Sequence, residues 1–247
     1  MVAPQGSSTI KYGNWNERAR VYIFDGVTYP SVTSVIGMMD KPALINWAAR
    51  LAAEYSQDNR AALGQLDPEA AVDAIKGAWR RSRDRAANFG TAVHEMIESR
   101  ETPEPDSELA PYVDGAAAFL KGFKLDVTSQ EVTVVSKEHG YAGTMDVLAL
   151  RPKDDAVVVV DWKSGKGLYD SAALQLSALM NADHIVRNNQ LVPFNGAHLG
   201  VAVRLTQQGK YYIEVLHRTT KVEERTYKAF IGLIDVWHYK TKAEVWE

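Results

Sequence analysis

Four side chains in one stretch have the types and the spacing to do chemistry. Glu131, Asp146, Asp161 and Lys163 lie in three β-branched, apolar runs, Glu131–Val135, Gly143–Leu148 and Val157–Lys163. Polar breaks at Ser136–Gly140 and Arg151–Asp155 separate the runs, a pattern that predicts three consecutive strands joined by hairpins. Folding about the centre of the second break sets Asp146 opposite Asp161. Folding about the first sets Glu131 opposite Asp146, so three carboxylates from adjacent strands share one row. Like charges directly opposite in a sheet repel, and carboxylates gathered out of water must be protonated or hold a cation. Asp161 and Lys163, two residues apart, share a face, while Trp162 between them points to the other. Oxygen donors of this kind suit Mg2+ or Mn2+, as one or two ions. The plainer alternative leaves the acids at strand ends in water, with Lys163 paired to one of them.

The elements that must position these groups follow from pattern. Residues 1 to about 18 are polar and are expected to be poorly ordered. Val21–Phe24 and Val27–Tyr29 flank Asp25-Gly26, a two-residue hairpin signal. In the next segment Ser31 could cap a short helix, and the hydroxyls of Ser31, Thr33 and Ser34 could either seat a phosphate or simply close that helix end. Residues 41–57 read as a helix with Leu44, Trp47, Ala48 and Leu51 at helical spacing. Asp67-Pro68 opens another long helix that carries Arg80, Arg81, Arg83 and Arg85, the densest basic cluster in the chain. Such a cluster either grips a phosphate backbone or forms a solvated face. Asn88–Glu98 reads as a short helix in which Gly90 and His94 stand one turn apart, with Glu95 and Glu98 in solvent.

A helix over Asp106–Phe123 precedes the acid-bearing strands, with Tyr112, Phe119 and Leu120 inward. Ser171–Arg187, containing Gln175, is expected to be an amphipathic helix. Leu199–Leu205 and Tyr211–Leu216 form a hairpin around Gln208-Gly209, and Thr220 to about Lys240 closes as a helix. The order of elements predicts an α/β (α+β) protein with a central mixed sheet flanked by helices. One domain is expected, with a mainly helical arm over about 30–125, a sheet-containing core over about 126–217 and a C-terminal helix over about 218–247.

Composition narrows the classes. At 247 residues, 46% hydrophobic and 24% charged, the chain is that of an ordinary globular protein. Its formal charge of −3 offers no general attraction to nucleic acid, so any such binding must come from a local basic patch. The absence of cysteine excludes disulfides, thiolate catalysis and a cysteine-held iron–sulfur cluster. The N-terminal residues lack the apolar stretch of a signal peptide and no run approaches a membrane span, so a cytoplasmic protein without membrane partners is expected.

Taken together, Gly143-x-x-Asp146 followed by Asp161-x-Lys163 at the end of an apolar strand resembles the signature of PD-(D/E)xK nucleases. Gly90-x-x-x-His94 upstream, Glu131 opening the preceding strand and Gln175 on the following helix resemble the RecB-type branch. The segment Tyr29–Ile36 is similar to the Pro-Ser-Val-Thr element of mitochondrial genome-maintenance exonucleases and their phage relatives. The resemblance spans roughly residues 29–205 and departs from the family where Leu179 replaces a tyrosine. It implies a restriction-endonuclease-like core and a Mg2+- or Mn2+-dependent DNA exonuclease in replication, recombination or repair, in a bacterial or phage-infected cell. Its DNA would be single-stranded or free-ended, and recombination or replication proteins would be its partners. By the same resemblance His94, Asp146, Asp161 and the Trp162 carbonyl would hold metal, with Glu131 in the outer part of the site. Lys163 would act in the reaction, and Gln175 would orient it or touch a phosphate. An endonuclease of the same fold and a non-catalytic DNA-binding or assembly subunit are the alternatives.

Overall fold

The computed structural model describes residues 9–13, 19–24, 26–39 and 41–241. Among these, contacts divide the chain into two compact units, residues 1–39 with 93–247, and residues 40–92.

The first unit is built on a mixed sheet. Its strands are β4 (Asp126–Ser136), β5 (Tyr141–Arg151), β6 (Ala156–Lys163), β7 (His184–Arg187), β8 (Gln190–Pro193), β9 (Leu199–Leu205) and β10 (Tyr211–His217). They run in the order β10-β9-β6-β5-β4-β7-β8, seven strands among the described residues. All neighbours are antiparallel except β6 and β9, whose parallel pairing needs the crossover through α6 (Asp170–Met180). A small antiparallel sheet, β1 (Thr9–Gly13), β2 (Ala19–Phe24) and β3 (Val27–Pro30), precedes it. The mixed α/β architecture is thus the one the order of elements predicts.

Both faces of the central strands are covered, which is why β6 reads as a continuous Val run rather than an alternating one. On one side α1 (Val32–Ile36), α6 and α7 (Lys221–Thr241) close over Val159, Ala202, Leu176 and Phe230. On the other, α5 (Ala110–Phe123) sets Phe119 edge-on against Trp162 at 5.7 Å and Tyr211 at 5.6 Å. Trp162 therefore points away from Asp161 and Lys163, as the two-residue period requires.

The helices α6 and α7 are also tied by polar groups. Glu223, buried in the first turn of α7, accepts from Ser177 Oγ at 2.7 Å and Asn181 Nδ2 at 2.6 Å. Gly143 on β5 explains how α6 comes so close to the sheet. A Cβ there would lie 2.8 Å from Leu179 Cδ2 and 3.0 Å from Val32 Cγ2. The glycine of the Gly-x-x-Asp pattern is thus a packing residue.

The second unit holds α2 (Pro42–Asp58), α3 (Arg60–Leu63) and most of α4 (Pro68–Ser99). Asp67 Oδ1 caps α4, accepting from the backbone N–H groups of Glu69 and Ala70 at 3.1 and 3.0 Å.

Three expectations about elements are corrected. Asn88–Glu98 is not a separate short helix but the end of the 32-residue α4, because one glycine costs a helix only about 1 kcal/mol. The helix expected over Ser171–Arg187 stops at Met180, where Asn181 turns its amide back to the Ser177 carbonyl at 2.9 Å. Residues His184–Arg187 then pair with Gln190–Pro193 through Asn188 and Asn189, both in the left-handed region with φ of 50° and 60°. Within the polar N-terminal stretch, Thr9–Gly13 is a strand rather than irregular chain, while residues 1–8 and 14–18 lie outside the described residues. No helix among the described residues is long and apolar enough to cross a membrane.

Candidate metal and active site

The acidic row sits where the ladder between β5 and β6 ends. Val147 pairs with Val160 as the last rung, so Asp146 and Asp161 face each other one step beyond it. The next backbone bond is replaced by a side-chain bond, in which Trp162 N–H donates to Asp146 Oδ2 at 2.7 Å. On the other flank Gln130 pairs with Val147 and Val132 with Met145, which sets Glu131 across from Asp146. Both registers are those that the centres of the two breaks predict. Glu131 has a φ of 48°, a left-handed conformation inside a strand. A β-strand residue with a side chain adopts this only at a cost of about 1–3 kcal/mol, and here it aims the carboxylate into the cluster.

Residue His94 enters from α4, and one donor atom each from His94, Glu131 and Asp146 lies within 4.8 Å of the others. The imidazole bridges two acceptors, with Nε2 3.1 Å from the Trp162 carbonyl oxygen and Nδ1 3.5 Å from Asp146 Oδ2. Burial opposes its protonation, but the hydrogen bond to Asp146 and its charge outweigh burial, and the His94 pKa stands above the ordinary value.

Residue Asp161 is turned to a different set of partners. It is 2% exposed, its Oδ2 lies 2.6 Å from Lys163 Nζ, and its Oδ1 accepts from Gln175 Nε2 at 2.8 Å. Lys163 Nζ in turn donates to Gln175 Oε1 at 3.0 Å. These contacts close a ring of carboxylate, ammonium and amide. The Asp161–Lys163 contact is close but not aligned as a hydrogen bond, so Oδ2 is a buried acceptor with capacity left over. Burial pushes the Asp161 pKa up to about 6 against the lowering effect of Lys163, with Asp146 adding to the rise. Glu131 is pushed up to about 7, first by desolvation of its carboxyl group, then by the charges of Asp146 and Glu98. The whole Glu131 residue is exposed, so its carboxyl is hemmed in by neighbours rather than sealed off.

The donor chemistry fits a divalent ion. Two carboxylates and an imidazole converge, a third carboxylate has a spare buried oxygen, and the Trp162 carbonyl points at the imidazole. The expected ligand set of His94, Asp146, Asp161 and the Trp162 carbonyl is brought into one region. As arranged, though, Glu131 stands with His94 and Asp146, and Asp161 with Lys163 and Gln175.

Other candidates fall elsewhere. Ser31 is buried, its Oγ accepts from Ser34 N–H at 3.0 Å and donates to Ser34 Oγ at 2.8 Å, and Ser34 Oγ donates to the Arg20 carbonyl at 3.1 Å. These hydroxyls close the helix end and lock it to β2, while Thr33 is exposed. Arg80, Arg81 and Arg85 are exposed on α4. Arg81 stacks over Tyr55 at 4.8 Å, and Arg83 over Trp79 at 4.9 Å while pairing with Asp84. Leu179 is 1% exposed and packs against Gly143, so its side chain is a packing group. Glu98 is exposed as expected, yet its charge acts on Glu131. Its place one helical turn after His94 was the available signal.

No family model matches the chain, and no curated protein matches it. Among solved structures it is similar to an alkaline exonuclease from Laribacter hongkongensis, at 12% identity and a TM-score of 0.41, over 86% of this chain and 90% of that one. It is also similar to SSO0001, at 16% identity and a TM-score of 0.30, over 74% of this chain and 70% of that one. Likenesses this distant say nothing of activity, and the chemistry has to be read from the side chains themselves.

Proposed function

We propose that the chain is a divalent-metal-dependent DNA nuclease that hydrolyses phosphodiester bonds from strand ends. The observation that carries this reading is the closed ring of Asp161, Lys163 and Gln175 beside the convergent His94, Glu131 and Asp146. A binding module has no use for a buried acid held above its ordinary pKa next to an ammonium group, because both raise the cost of folding. Metal-assisted cleavage of a phosphodiester uses both features: a seat for a cation and a fixed positive group.

His94, Glu131 and Asp146 would hold Mg2+ or Mn2+, with Asp161 and the Trp162 carbonyl completing the set. The ion would supply Lewis-acid neutralisation of the charge that builds on the phosphoryl oxygens. The chain's own groups do the rest. Asp161 holds Lys163 along the row, and Gln175 fixes both by donating to one and accepting from the other. Lys163, partly exposed, presents its remaining N–H groups to a phosphoryl oxygen or to the water in line with it. Asp146 uses one oxygen to hold the Trp162 amide, which fixes the carbonyl of the same residue toward His94. The preference for ends and for single strands rests on the motif resemblance.

The deciding experiment is digestion of end-labelled single- and double-stranded DNA with Mg2+ or Mn2+, with products sized on a gel, alongside Lys163→Ala and Asp161→Ala. Both variants are expected to keep the wild-type circular dichroism spectrum and lose cleavage. Full activity in either would refute the assignment, and circular single strands cut as fast as linear ones would make the enzyme an endonuclease.

A further inference from the structure

We infer that Arg204, seated on Tyr212 beside Lys163, forms a subsite for the phosphodiester backbone of a single-stranded nucleic acid, next to the phosphate at the reaction centre. The inference rests on the nuclease reading and extends it from the scissile bond to the strand that carries it. The parallel register pairs Lys163 with Arg204, and the antiparallel register pairs Arg204 with Tyr212. Paired residues stand on the same face of a sheet, so Lys163, Arg204 and Tyr212 form one row across β6, β9 and β10. At the spacing of sheet strands this row is about 10 Å long.

Two cations side by side in such a row repel each other, as the acids do one step away. Lys163 is answered by Asp161. Among the described residues Arg204 has no carboxylate partner. Its guanidinium lies 4.3 Å above the Tyr212 ring, and one N–H donates to the Lys166 carbonyl at 3.3 Å. The stacking fixes the plane of the fork, and most of its donors stay open. A planar, pre-oriented, unanswered fork one strand away from a phosphoryl-transfer centre is suited to an anion of phosphate geometry.

The surroundings identify that anion as part of a strand with unstacked bases. Tyr212 is 52% exposed and Tyr169 67% exposed, with Lys166 exposed on the loop between Lys163 and Tyr169. Exposed aromatic faces interleaved with basic groups are the elements of single-strand binding. A duplex keeps its bases stacked and offers them nothing to take. The chain's overall charge of −3 makes such a local device necessary.

The test compares the wild type with Arg204→Ala, Arg204→Lys and Tyr212→Ala in the full chain, on two substrates with Mn2+. One is a labelled oligothymidylate and the other is bis(p-nitrophenyl) phosphate, which has no second phosphate to offer Arg204. In Arg204→Ala, kcat/KM on the oligonucleotide should fall about tenfold more than the rate on the small diester, chiefly through KM. Arg204→Lys should recover only part of the loss, because it keeps the charge and loses the fork. Binding of the oligonucleotide with Ca2+ in place of Mn2+ should lose on the order of 0.7 from its log–log salt slope, as for one phosphate contact. Equal losses on the two substrates, or an unchanged salt slope, would overturn the inference. Should the wild type hydrolyse neither substrate, the nuclease reading falls, and the binding arm still decides the subsite.

Discussion

Asp161 makes the metal-free protein less stable than it needs to be, and the size of that cost can be worked out. Its folded-state pKa of about 6 stands against an ordinary value of 3.8, so the folded protein binds this proton more tightly than the unfolded chain does. For a carboxylate displaced upward, the penalty is absent at low pH, where both states are protonated. It grows as pH rises from about 4 and is complete above about 6. A gap of about two pH units corresponds to roughly 3 kcal/mol at pH 8, and to about half of that at pH 5. Asp161→Asn removes the charge and keeps the shape, and its amide still meets Gln175. In EDTA at pH 8 this variant should therefore melt about 6–12 °C above the wild type, at about 2–4 °C per kcal/mol for a chain of this size. The lead should shrink by about half at pH 5. Saturating Mn2+ should raise the melting point of the wild type, by the equivalent of about 3 kcal/mol at a hundredfold excess over Kd, and raise that of the variant by less, since Asp161 only completes the ligand set. Melting followed by circular dichroism reads all three. A variant that melts no higher than the wild type at pH 8, or a lead that does not narrow on acidification, would refute the view that the acid row is held at a cost.

Three further outcomes follow from the geometry. Because His94 and Glu131 both hold protons above their ordinary pKa values, Mn2+ binding near pH 6.5 should release protons. Titration calorimetry in two buffers of different ionisation enthalpy would count them, and identical heats in the two would contradict the ligand set. Gly143→Ala should destabilise by about 1–3 kcal/mol through its clash with Leu179 and Val32. Leu179→Ala should cost less in the Gly143→Ala background than in the wild type, which a double-mutant cycle in urea would show as a coupling of opposite sign. Glu131→Gly relieves the left-handed strain and should raise metal-free stability by about 1 kcal/mol. It should also weaken Mn2+ binding about tenfold or more, and a variant with unchanged affinity would remove Glu131 from the metal site.

Much of the centre of this fold was legible because hairpins fix register. The breaks at Ser136–Gly140 and Arg151–Asp155 alone put Glu131, Asp146 and Asp161 in line, and the observed pairs agree. The parallel partner of β6 was beyond such reasoning, since a crossover through α6 leaves no loop centre to fold about, and Arg204 went unseen with it. The end of α6 was misread although Asn188-Asn189 carried a hairpin signal, because the apolar residues of His184–Arg187 fit a helical period as well as a strand. The separate short helix expected over Asn88–Glu98 is overridden by the length of α4. Which acid takes Lys163 and Gln175 as partners was left open by the sequence, because it depends on the rotamer of one side chain and not on register.

The bond between Glu223 and α6 gives the last helix a mechanical task. Ser177 and Asn181, which Glu223 grips, lie about half a turn and one and a half turns beyond Gln175 on the same short rod. Losing that grip would free the rod to roll about its axis, and a roll of a few degrees swings the amide off the ammonium it steadies. A buried carboxylate on α7, outside the candidate site, thus steadies the short helix that carries Gln175.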